Sequence, residues 1–371
     1  MALYINELPR RTIEIENKIF LFFSGTAYLG IGHQSKFRKA LSKGILKYGT
    51  IFSASRNSNL RLSIYDEAEN FFAKKTGAET ALTVSSGAIA GQLAINFLKN
   101  NFFIYAVGVH PAIWQSNPEN IFSDEKDLKI IFEKISHEKN FEKNSEKNSD
   151  EKNSEKNFVI ASNAIDPLTC SPTDWNFINS LPKNKNFTLL IDDSHGIGIS
   201  GENGGGIYNK IKNGIAHLPN VKLIVVASLA KASGLPGGVI LGDLETINAL
   251  RVLPLFVGAS PMVPAYLQAF LDTQDMYDTA RKQLLKNCRF FLSFLSDISR
   301  FKLRYFPDYP VFFVKDVGIY PYLYDRGIFI SQFAYPNPND ALITRLIISA
   351  LHTKKDIEIL ADAVNDYFKE K

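Results

Sequence analysis

One lysine of this 371-residue chain stands in a run of small and apolar residues. Lys231 lies within VVASLAKASGLPGG, residues 225–238, where the long cationic side chain has compact neighbours. Lys231 is either an ordinary surface lysine beside a turn or an amine held against a bound molecule. We favour the second interpretation, because other polar segments of the chain occupy comparable positions.

Three further segments place polar or glycine-rich sequence directly after an apolar, strand-like run. They are SSGAIA (residues 85–90), LLIDDSHGIGISGENGGG with Asp192, Asp193 and His195, and VGVHPAIW with His110. Each segment also has an ordinary structural explanation. A histidine after a strand is often only hydrogen-bonded, Asp193 could cap the next turn, and the glycines could form a plain loop. The glycine-rich run lacks the spacing and flanking lysine of a nucleotide-binding loop.

Taken together, these residue types suit an aromatic cofactor that carries an aldehyde, a ring nitrogen and a phosphate. A lysine can form a Schiff base with an aldehyde. An aspartate can keep a pyridine nitrogen protonated, which makes the ring an electron sink, and an imidazole can stack on the ring face. Small residues at a helix N-terminus can receive a phosphate. The combination predicts pyridoxal 5′-phosphate (PLP).

The elements that must position these residues alternate between strand and helix. Short apolar runs predict strands at TALTVSS, FFIYAVG, NFVIASN, FTLLIDDSHG and VKLIVVASLAK. Apolar positions at helical spacing predict helices over residues 33–48, SIYDEAENFFAKKTG and GAIAGQLAINFLKNN. This alternation predicts an α/β fold whose mostly parallel sheet has helices on both faces. Such folds keep their sites at the carboxyl ends of the strands, where the polar residues collect here.

The pattern changes after about residue 262. The next 35 residues, PAYLQAFLDTQDMYDTARKQLLKNCRFFLSFLSDI, predict one long helix. Strand-like YPVFFVKD, GIFISQFAY and ALITRLIISAL follow, and then a terminal helix from about residue 354. We therefore expect an N-terminal segment over residues 1–45, a large PLP-binding domain over 46–262 and a smaller α+β domain over 263–371.

Residues 137–157 differ from the rest of the large domain, because they repeat an EKN unit in HEKNFEKNSEKNSDEKNSEKN. With a single Phe, this segment cannot bury enough apolar surface to order itself. We expect a solvated insertion between two core elements. A regulatory or docking tail is the alternative.

Composition restricts the class of protein. Hydrophobic residues make up 45% of the chain and charged residues 22%, as in soluble globular proteins. The net charge of +4 is too small and too scattered to suggest nucleic acid or a membrane surface as a partner. Cys170 and Cys288 cannot make a disulfide framework. No window approaches the ~18 apolar residues of a membrane helix, and the N-terminus is wrong for a signal peptide. We expect a cytoplasmic protein without a membrane span or a bound metal.

The chain resembles the α-oxoamine synthases, a family of the fold-type I PLP-dependent enzymes. DDSHGIGISGENGGG is close to that family's D-[DE]-[AS]-H-x-x-G-x-x-G-x-x-G-x-G stretch. FSGTAYLGIGHQSKFRKALSKGILKYGT resembles the family's opening, and ALITRLIISALHTKKDIEIL resembles its ending. The resemblance runs almost from end to end. It implies a fold-type I PLP-dependent transferase, with a large domain built on a mostly parallel sheet and a smaller α+β C-terminal domain.

The resemblance also implies roles for matching positions. Lys231 would be the Schiff-base lysine, Asp192 would pair with the pyridine nitrogen, and His195 would contact the cofactor's phenolic oxygen and the incoming acyl carbonyl. His110 would stack on the ring. Arg345 would grip the substrate carboxylate, which a guanidinium can bind bidentately; the alternative places it on the polar side of an edge strand. Further implied cofactor contacts are Ser86, Gly87, Ala88, Ser162, Ser228 and, from a second subunit, Ser260.

Several positions depart from the family pattern, and most of them face the substrate. The segment near TIFSASRNS has lost its glycines, although Ser55-Arg56 remains. The other departures are Tyr65 for a histidine, Gly91 for an asparagine, Pro111-Ala112 after His110, and a polar residue near the substrate carboxylate that is either missing or replaced by Thr26. The positions that match the cofactor site are kept, whereas those that match the substrate site have changed.

Members of this family condense an amino acid with an acyl-CoA thioester and release CO2, which gives an α-amino ketone. We therefore expect a PLP-dependent C-acyltransferase and a homodimer in which VGASPMVP reaches the partner's site. Our first choice is the biotin-pathway reaction of L-alanine with a pimeloyl thioester, because it is a widespread use of this architecture. The acyl donor could be a CoA or a carrier-protein thioester.

Three alternatives remain open from the residues. The first is a family member that uses glycine or serine. The second is a class I/II aminotransferase, against which His195 weighs, because aminotransferases commonly have a tyrosine after the aspartate. The third is a protein that keeps the fold without catalysis. The retention of Lys231 and Asp192 weighs against that alternative.

Overall fold

The computed structural model describes residues 4–137, 157–166, 168–169, 171–335 and 337–371. Apart from its two end residues, the EKN-repeat insertion lies outside the described residues, and so does Cys170. Cys288 is buried and unpaired within the described part of the chain. No helix of the described residues is long and apolar enough to cross a membrane.

The described residues form thirteen strands and twelve α-helices. The strands are β1 Thr12–Ile15, β2 Lys18–Phe23, β3 Thr80–Val84, β4 Phe102–Ala106, β5 Ile121–Phe122, β6 Phe158–Asn163, β7 Phe187–Asp192, β8 Val221–Ser228, β9 Gly238–Gly242, β10 Leu303–Arg304, β11 Val311–Val314, β12 Ile328–Ala334 and β13 Leu342–Ile347. The helices are α1 Ser35–Tyr48, α2 Ser63–Thr76, α3 Gly87–Leu98, α4 Glu125–His137, α5 Tyr208–Gly214, α6 Leu244–Arg251, α7 Pro254–Gly258, α8 Pro264–Asp272, α9 Gln274–Phe294, α10 Asp297–Lys302, α11 Ile319–Tyr324 and α12 Lys354–Lys369.

Seven strands form the larger sheet, in the order β3-β9-β8-β7-β6-β4-β5. Strands β5, β4, β6, β7 and β8 pair in parallel, whereas β9 is antiparallel to both β8 and β3. Every residue of β6, β7 and β9 is buried, which is why these strands read as continuous apolar runs. The predicted mostly parallel sheet is confirmed. The glycine-flanked strand β9 was missed.

Successive side chains of the central strands enter two different cores. Val225 on β8 packs in one cluster and Val226 in the other, because neighbouring side chains of a strand point to opposite faces. Leu93 of helix α3 and Leu250 of α6 belong to the cluster on one face, and Phe72 of α2 belongs to the cluster on the other. Both faces are therefore covered, and polar groups collect at the strand ends.

The second sheet joins the two ends of the chain, in the order β1-β2-β12-β13-β11-β10. Strands β2 and β12 run parallel, and the other neighbours are antiparallel. The β1–β2 hairpin, whose first strand was missed, turns at Glu16 and Asn17, both with positive φ. Because this sheet combines N-terminal and C-terminal strands, it fits an α+β unit, while the expected boundaries at residues 45 and 262 stay predictions.

The single long helix expected after residue 262 is wrong. Helix α8 ends at Asp272 and α9 begins at Gln274, with Thr273 between them at φ −127° and ψ 25°. The Thr273 hydroxyl donates to the carbonyl of Ala269 at 2.7 Å. A threonine hydroxyl that bonds to a nearby backbone carbonyl competes with the regular helical hydrogen bonds. The helical spacing of apolar residues continues on both sides of Thr273, so the sequence pattern did not indicate the break.

Candidate active site

The turn from β3 into α3 brings small residues against the end of β8. Ser86 caps α3, and its hydroxyl accepts from the N–H of Ile89 at 3.1 Å. Gly87 begins the helix so close to Ser228 that a side chain there would collide with it. The first N–H groups of a helix have no partner within the helix. The structure therefore brings Ser86, Gly87, Ala88 and Ser228 together, as expected for a phosphate site.

Asp192 ends β7 and lies next to His110, which follows β4. One Asp192 oxygen accepts from the N–H of Ser194 at 2.8 Å, and the other lies 3.8 Å from His110 Nδ1. His110 Nδ1 also accepts from the N–H of Ala112 at 3.1 Å. Burial lowers the pKa of His110, while the Asp192 carboxylate opposes that shift. The predicted ring-nitrogen partner and the predicted ring-stacking histidine are therefore neighbours.

Lys231 follows β8 and lies close enough to Asp192 to feel the charge of its carboxylate. Burial lowers the pKa of its amine, the Asp192 carboxylate raises it, and the Arg345 guanidinium lowers it. The net shift is downward, so more of the amine is unprotonated than in an exposed lysine. An unprotonated amine is the nucleophilic form that bonds to an aldehyde.

His195 keeps part of its surface accessible, although protein atoms enclose the ring. Burial lowers its pKa well below the usual value, and the charges of Lys231 and Arg345 act in the same direction, followed by His110. His195 is therefore neutral at physiological pH. Its Nδ1 atom lies 2.9 Å from the hydroxyl of Tyr28.

Arg345 reaches this space from the smaller sheet. It lies on β13, which pairs with β12 on one side and β11 on the other, so the edge-strand alternative is wrong. Arg345 is buried, and its guanidinium carbon lies 4.9 Å from the centre of the Phe333 ring. The shifts at Lys231 and His195 show that its charge is felt at both groups.

Two further predicted serines are Ser162 and Ser260. Ser162 is buried in β6, and its hydroxyl donates to the Asn163 carbonyl at 3.0 Å. Ser260 is exposed in the loop between α7 and α8. The cofactor roles that we expect for Ser162 and Ser260 stay predictions.

Sequence reasoning missed two tyrosines at the site. Tyr28 lay within the quoted YLG opening, but nothing in the sequence indicated its contact with His195. The Tyr335 ring, just after β12, lies 6.4 Å from the His110 ring with 20° between the planes. Burial raises the pKa of Tyr335, and so does the nearby Asp192 carboxylate. Both tyrosines come from segments attached to the smaller sheet, a contact that no local pattern reveals.

Asp193 has different surroundings from Asp192. One of its oxygens accepts from the N–H of Ile207 at 2.8 Å, and among the described residues the other has no hydrogen-bond partner. A side chain at Gly196 or Gly206 would collide with this carboxyl group. Burial raises the pKa of Asp193 to about 8. Part of the glycine-rich motif therefore packs around a buried carboxyl group.

The departures from the family pattern have packing partners of their own. Tyr65 donates to the carbonyl of Met262 at 2.7 Å. The Glu69 carboxylate bonds to Arg56 and, at 2.6 Å, to Arg251. Gly91 lets helix α3 approach the backbone of Ala112, where a side chain would collide with the Ala112 carbonyl. These changes are therefore accommodated by neighbouring protein groups.

The residues present fit PLP. The structure places an amine of lowered pKa beside a buried carboxylate, an imidazole beside that carboxylate, and a helix N-terminus against the end of β8. Within the described ranges, no group of three or more His, Cys, Asp or Glu side chains could hold a metal ion.

Comparisons with known proteins give the family and the fold. Residues 26–364 match the family model of class I and II aminotransferases. The 8-amino-7-oxononanoate synthase of Petrotoga mobilis is 27% identical, over 93% of this chain and 88% of that protein. Serine palmitoyltransferase from S. paucimobilis, solved with PLP and myriocin, has a TM-score of 0.79 at 18% identity, covering 100% of this chain and 92% of that one. The 8-amino-7-oxononanoate synthase of Francisella tularensis has a TM-score of 0.67 at 19% identity, covering 95% and 98%. The expected fold is confirmed.

Replacing Gly91 by alanine tests the close approach of α3 to residues 111–113. In an open helix this change would stabilise by up to about 1 kcal/mol. Here we expect destabilisation of at least about 1 kcal/mol, because overpacking costs about 1–3 kcal/mol. Urea denaturation measures the change. Gly214→Ala, at a position with open space around it, is the control, and equal stability of Gly91→Ala and wild type would contradict the prediction.

Replacing Asp193 by asparagine tests the buried carboxyl group. The pKa of Asp193 is about 8 in the folded state, against the ordinary 3.8 of an aspartate, so wild type loses this group's contribution to the free energy of unfolding as pH rises from about 4 to 8. Asparagine does not titrate. The variant should therefore gain stability relative to wild type across that interval, by up to about 1.4 kcal/mol per unit of pKa shift. Urea denaturation at pH 5 and pH 8 measures the difference, and parallel pH profiles would refute it.

Proposed function

Because the chain belongs to the class I and II aminotransferase family, and within it to the α-oxoamine synthases, we propose that it joins an amino acid to an acyl thioester. The reaction releases the thiol and CO2 and leaves an α-amino ketone. The observation that carries the proposal is the convergence of Lys231, Asp192 and His195 on one space, with Arg345 entering it from the other sheet. The enzyme depends on PLP.

When bound, PLP supplies a pyridinium ring that can spread negative charge from the α-carbon of the amino acid. Asp192 is placed to hold the proton of the pyridine nitrogen. The N–H of Ser194 fixes one of its oxygens. His110 packs beside the other oxygen and forms a flat wall for the ring.

Lys231 is the base that takes the α-proton. A general base works best when its pKa lies near the working pH, and burial moves the Lys231 amine in that direction. Asp192 counters part of this shift, so the amine can also carry the proton once it has taken it.

Arg345 binds the carboxylate of the amino acid, and His195 binds the carbonyl oxygen of the acyl thioester. The buried guanidinium lies against the Phe333 ring, which restricts its movement. Because His195 is neutral, it acts on the carbonyl by donating a hydrogen bond as negative charge develops on the oxygen.

For the substrates, we propose L-alanine and a pimeloyl thioester, the pair used in biotin synthesis. The support is the set of relatives named 8-amino-7-oxononanoate synthase, at 23–27% identity. The donor is either pimeloyl-CoA or the same acyl group on a carrier protein.

We further propose that the enzyme is a homodimer and that VGASPMVP, with the exposed Ser260, reaches the phosphate of the partner's site. Light scattering coupled to gel filtration should give twice the 41.6 kDa of one chain. Ser260→Ala should then weaken PLP binding without changing the dimer mass. A monomer that turns over substrate would contradict the proposal.

The first experiment measures release of CoA thiol by the PLP-loaded protein, offered pimeloyl-CoA with L-alanine, glycine or L-serine. Release with L-alanine alone is the expected result. Release with glycine or serine instead would keep the family and overturn the choice of amino acid. If no pair releases CoA, the same acyl group on a carrier protein and amino-group transfer to a keto acid are the next two assays, and transfer would mean an aminotransferase.

Replacing Lys231 by alanine should lower CoA release by about 10²- to 10⁴-fold, the usual contribution of a general base. Borohydride reduction should attach PLP to wild type but not to the variant, as shown by mass spectrometry. Lys222→Ala is the matched control, since Lys222 lies on β8, is exposed and pairs with Glu245 at 3.1 Å. Undiminished release by Lys231→Ala would refute the assigned role.

A further inference from the structure

Tyr28 belongs to the N-terminal segment and contacts His195 of the candidate active site. It follows the turn after β2, and only 1% of its surface is exposed. Its carbonyl accepts from the N–H of Ala350 at 2.9 Å, and its ring lies 6.3 Å from that of Tyr309. The Tyr28 hydroxyl, 2.9 Å from His195 Nδ1, is therefore held at a fixed place.

The state of the His195 ring depends on this contact. A neutral imidazole has one nitrogen that donates and one that accepts, and the partner of one nitrogen sets the tautomer. The charged groups that face His195 come from three different places: Lys231 after β8, Arg345 on β13 and His110 after β4. None of them is an anion, so nothing in this set favours protonation of both nitrogens.

We propose that Tyr28 is a positioning residue for His195: its hydroxyl donates to Nδ1, fixes the ring, and leaves Nε2 as the nitrogen that carries the hydrogen. The consequence for catalysis rests on the proposed function. An Nε2–H group can donate to the carbonyl oxygen of the acyl thioester. With the opposite tautomer, Nε2 would be an acceptor and would repel that oxygen.

His352 provides an internal reference for this tautomer. The N–H of Ser349 donates to His352 Nδ1 at 3.0 Å, and His352 Nε2 lies 2.9 Å from the carbonyl oxygen of Phe22. A backbone N–H can only donate and a carbonyl can only accept. His352 is therefore the Nε2–H tautomer with a hydrogen-bonded Nδ1, the same state that we assign to His195.

The test is a long-range ¹H–¹⁵N correlation spectrum of the PLP-loaded protein labelled with ¹⁵N-histidine. The chain has six histidines, and His195→Asn and His352→Asn identify the two signals by their loss. We expect His195 to show the Nε2–H pattern with a hydrogen-bonded Nδ1, like His352. In Tyr28→Phe, the Nδ1 signal of His195 should move to the position of a free acceptor or exchange between tautomers.

Tyr309→Phe is the matched control, because it removes the hydroxyl of another buried tyrosine in contact with Tyr28 while leaving the Tyr28 hydroxyl in place. It should leave the His195 signals unchanged. An Nδ1–H pattern in wild type, or an unchanged His195 signal in Tyr28→Phe, would overturn the proposal. A folded Tyr28→Phe is recognised by unchanged His352 signals.

Steady-state kinetics provide a second test of the positioning role. Tyr28→Phe should lower kcat for CoA release by about 10- to 100-fold, the loss that follows removal of the outer partner that orients a metal-bound histidine. The KM for the amino acid should change little, because Arg345 is untouched. Unchanged kcat would contradict the positioning role. If wild type releases the thiol from neither pimeloyl-CoA nor the carrier-protein thioester, the proposed function fails, yet the spectra still decide the state of His195.

Discussion

The site depends on the register of the central strands, which brings polar side chains together at the carboxyl-terminal edge of the larger sheet. Asp192, the last residue of β7, pairs in register with Asn163 on β6 and Val226 on β8. Strands β6 and β7 therefore end together, β8 continues to Ser228, and Lys231 follows shortly after it. Burial at this edge lowers the pKa values of both Lys231 and His195, while Asp192 raises that of Lys231. The register thus sets the chemistry by setting the distances between charges.

Close packing within the chain explains many of the small residues around Lys231. A side chain at Gly237 would collide with Met262, and one at Gly238 would collide with the backbone of Ser86. Gly87 meets Ser228 in the same way. The small residues therefore let the start of α3, the end of β8 and the start of β9 come together. This compact wall is what places helix N–H groups where a phosphate can bind.

The sequence was most informative where a structural role leaves a local pattern. Buried parallel strands produced continuous apolar runs, and the residues after them identified Lys231, Asp192 and His110. Strand β9, which begins and ends at glycine, and the break at Thr273 left no such pattern. Tyr28 and Tyr335 were missed for a different reason, because they enter the site from the other sheet. Arg345 could be assigned only through resemblance, since its burial in a central strand is a property of the fold.

The departures from the family pattern are better understood as coupled changes in packing than as loss of function. Gly91 replaces a larger residue where the backbone of Ala112 approaches helix α3. That segment follows His110 directly and itself departs from the pattern. A change on one side of a contact thus accompanies a change on the other, as close packing requires. The contact of helix α3 with Ala112 holds the backbone directly after His110. It is therefore a packing change next to the site, and Lys231 and Asp192 are both retained.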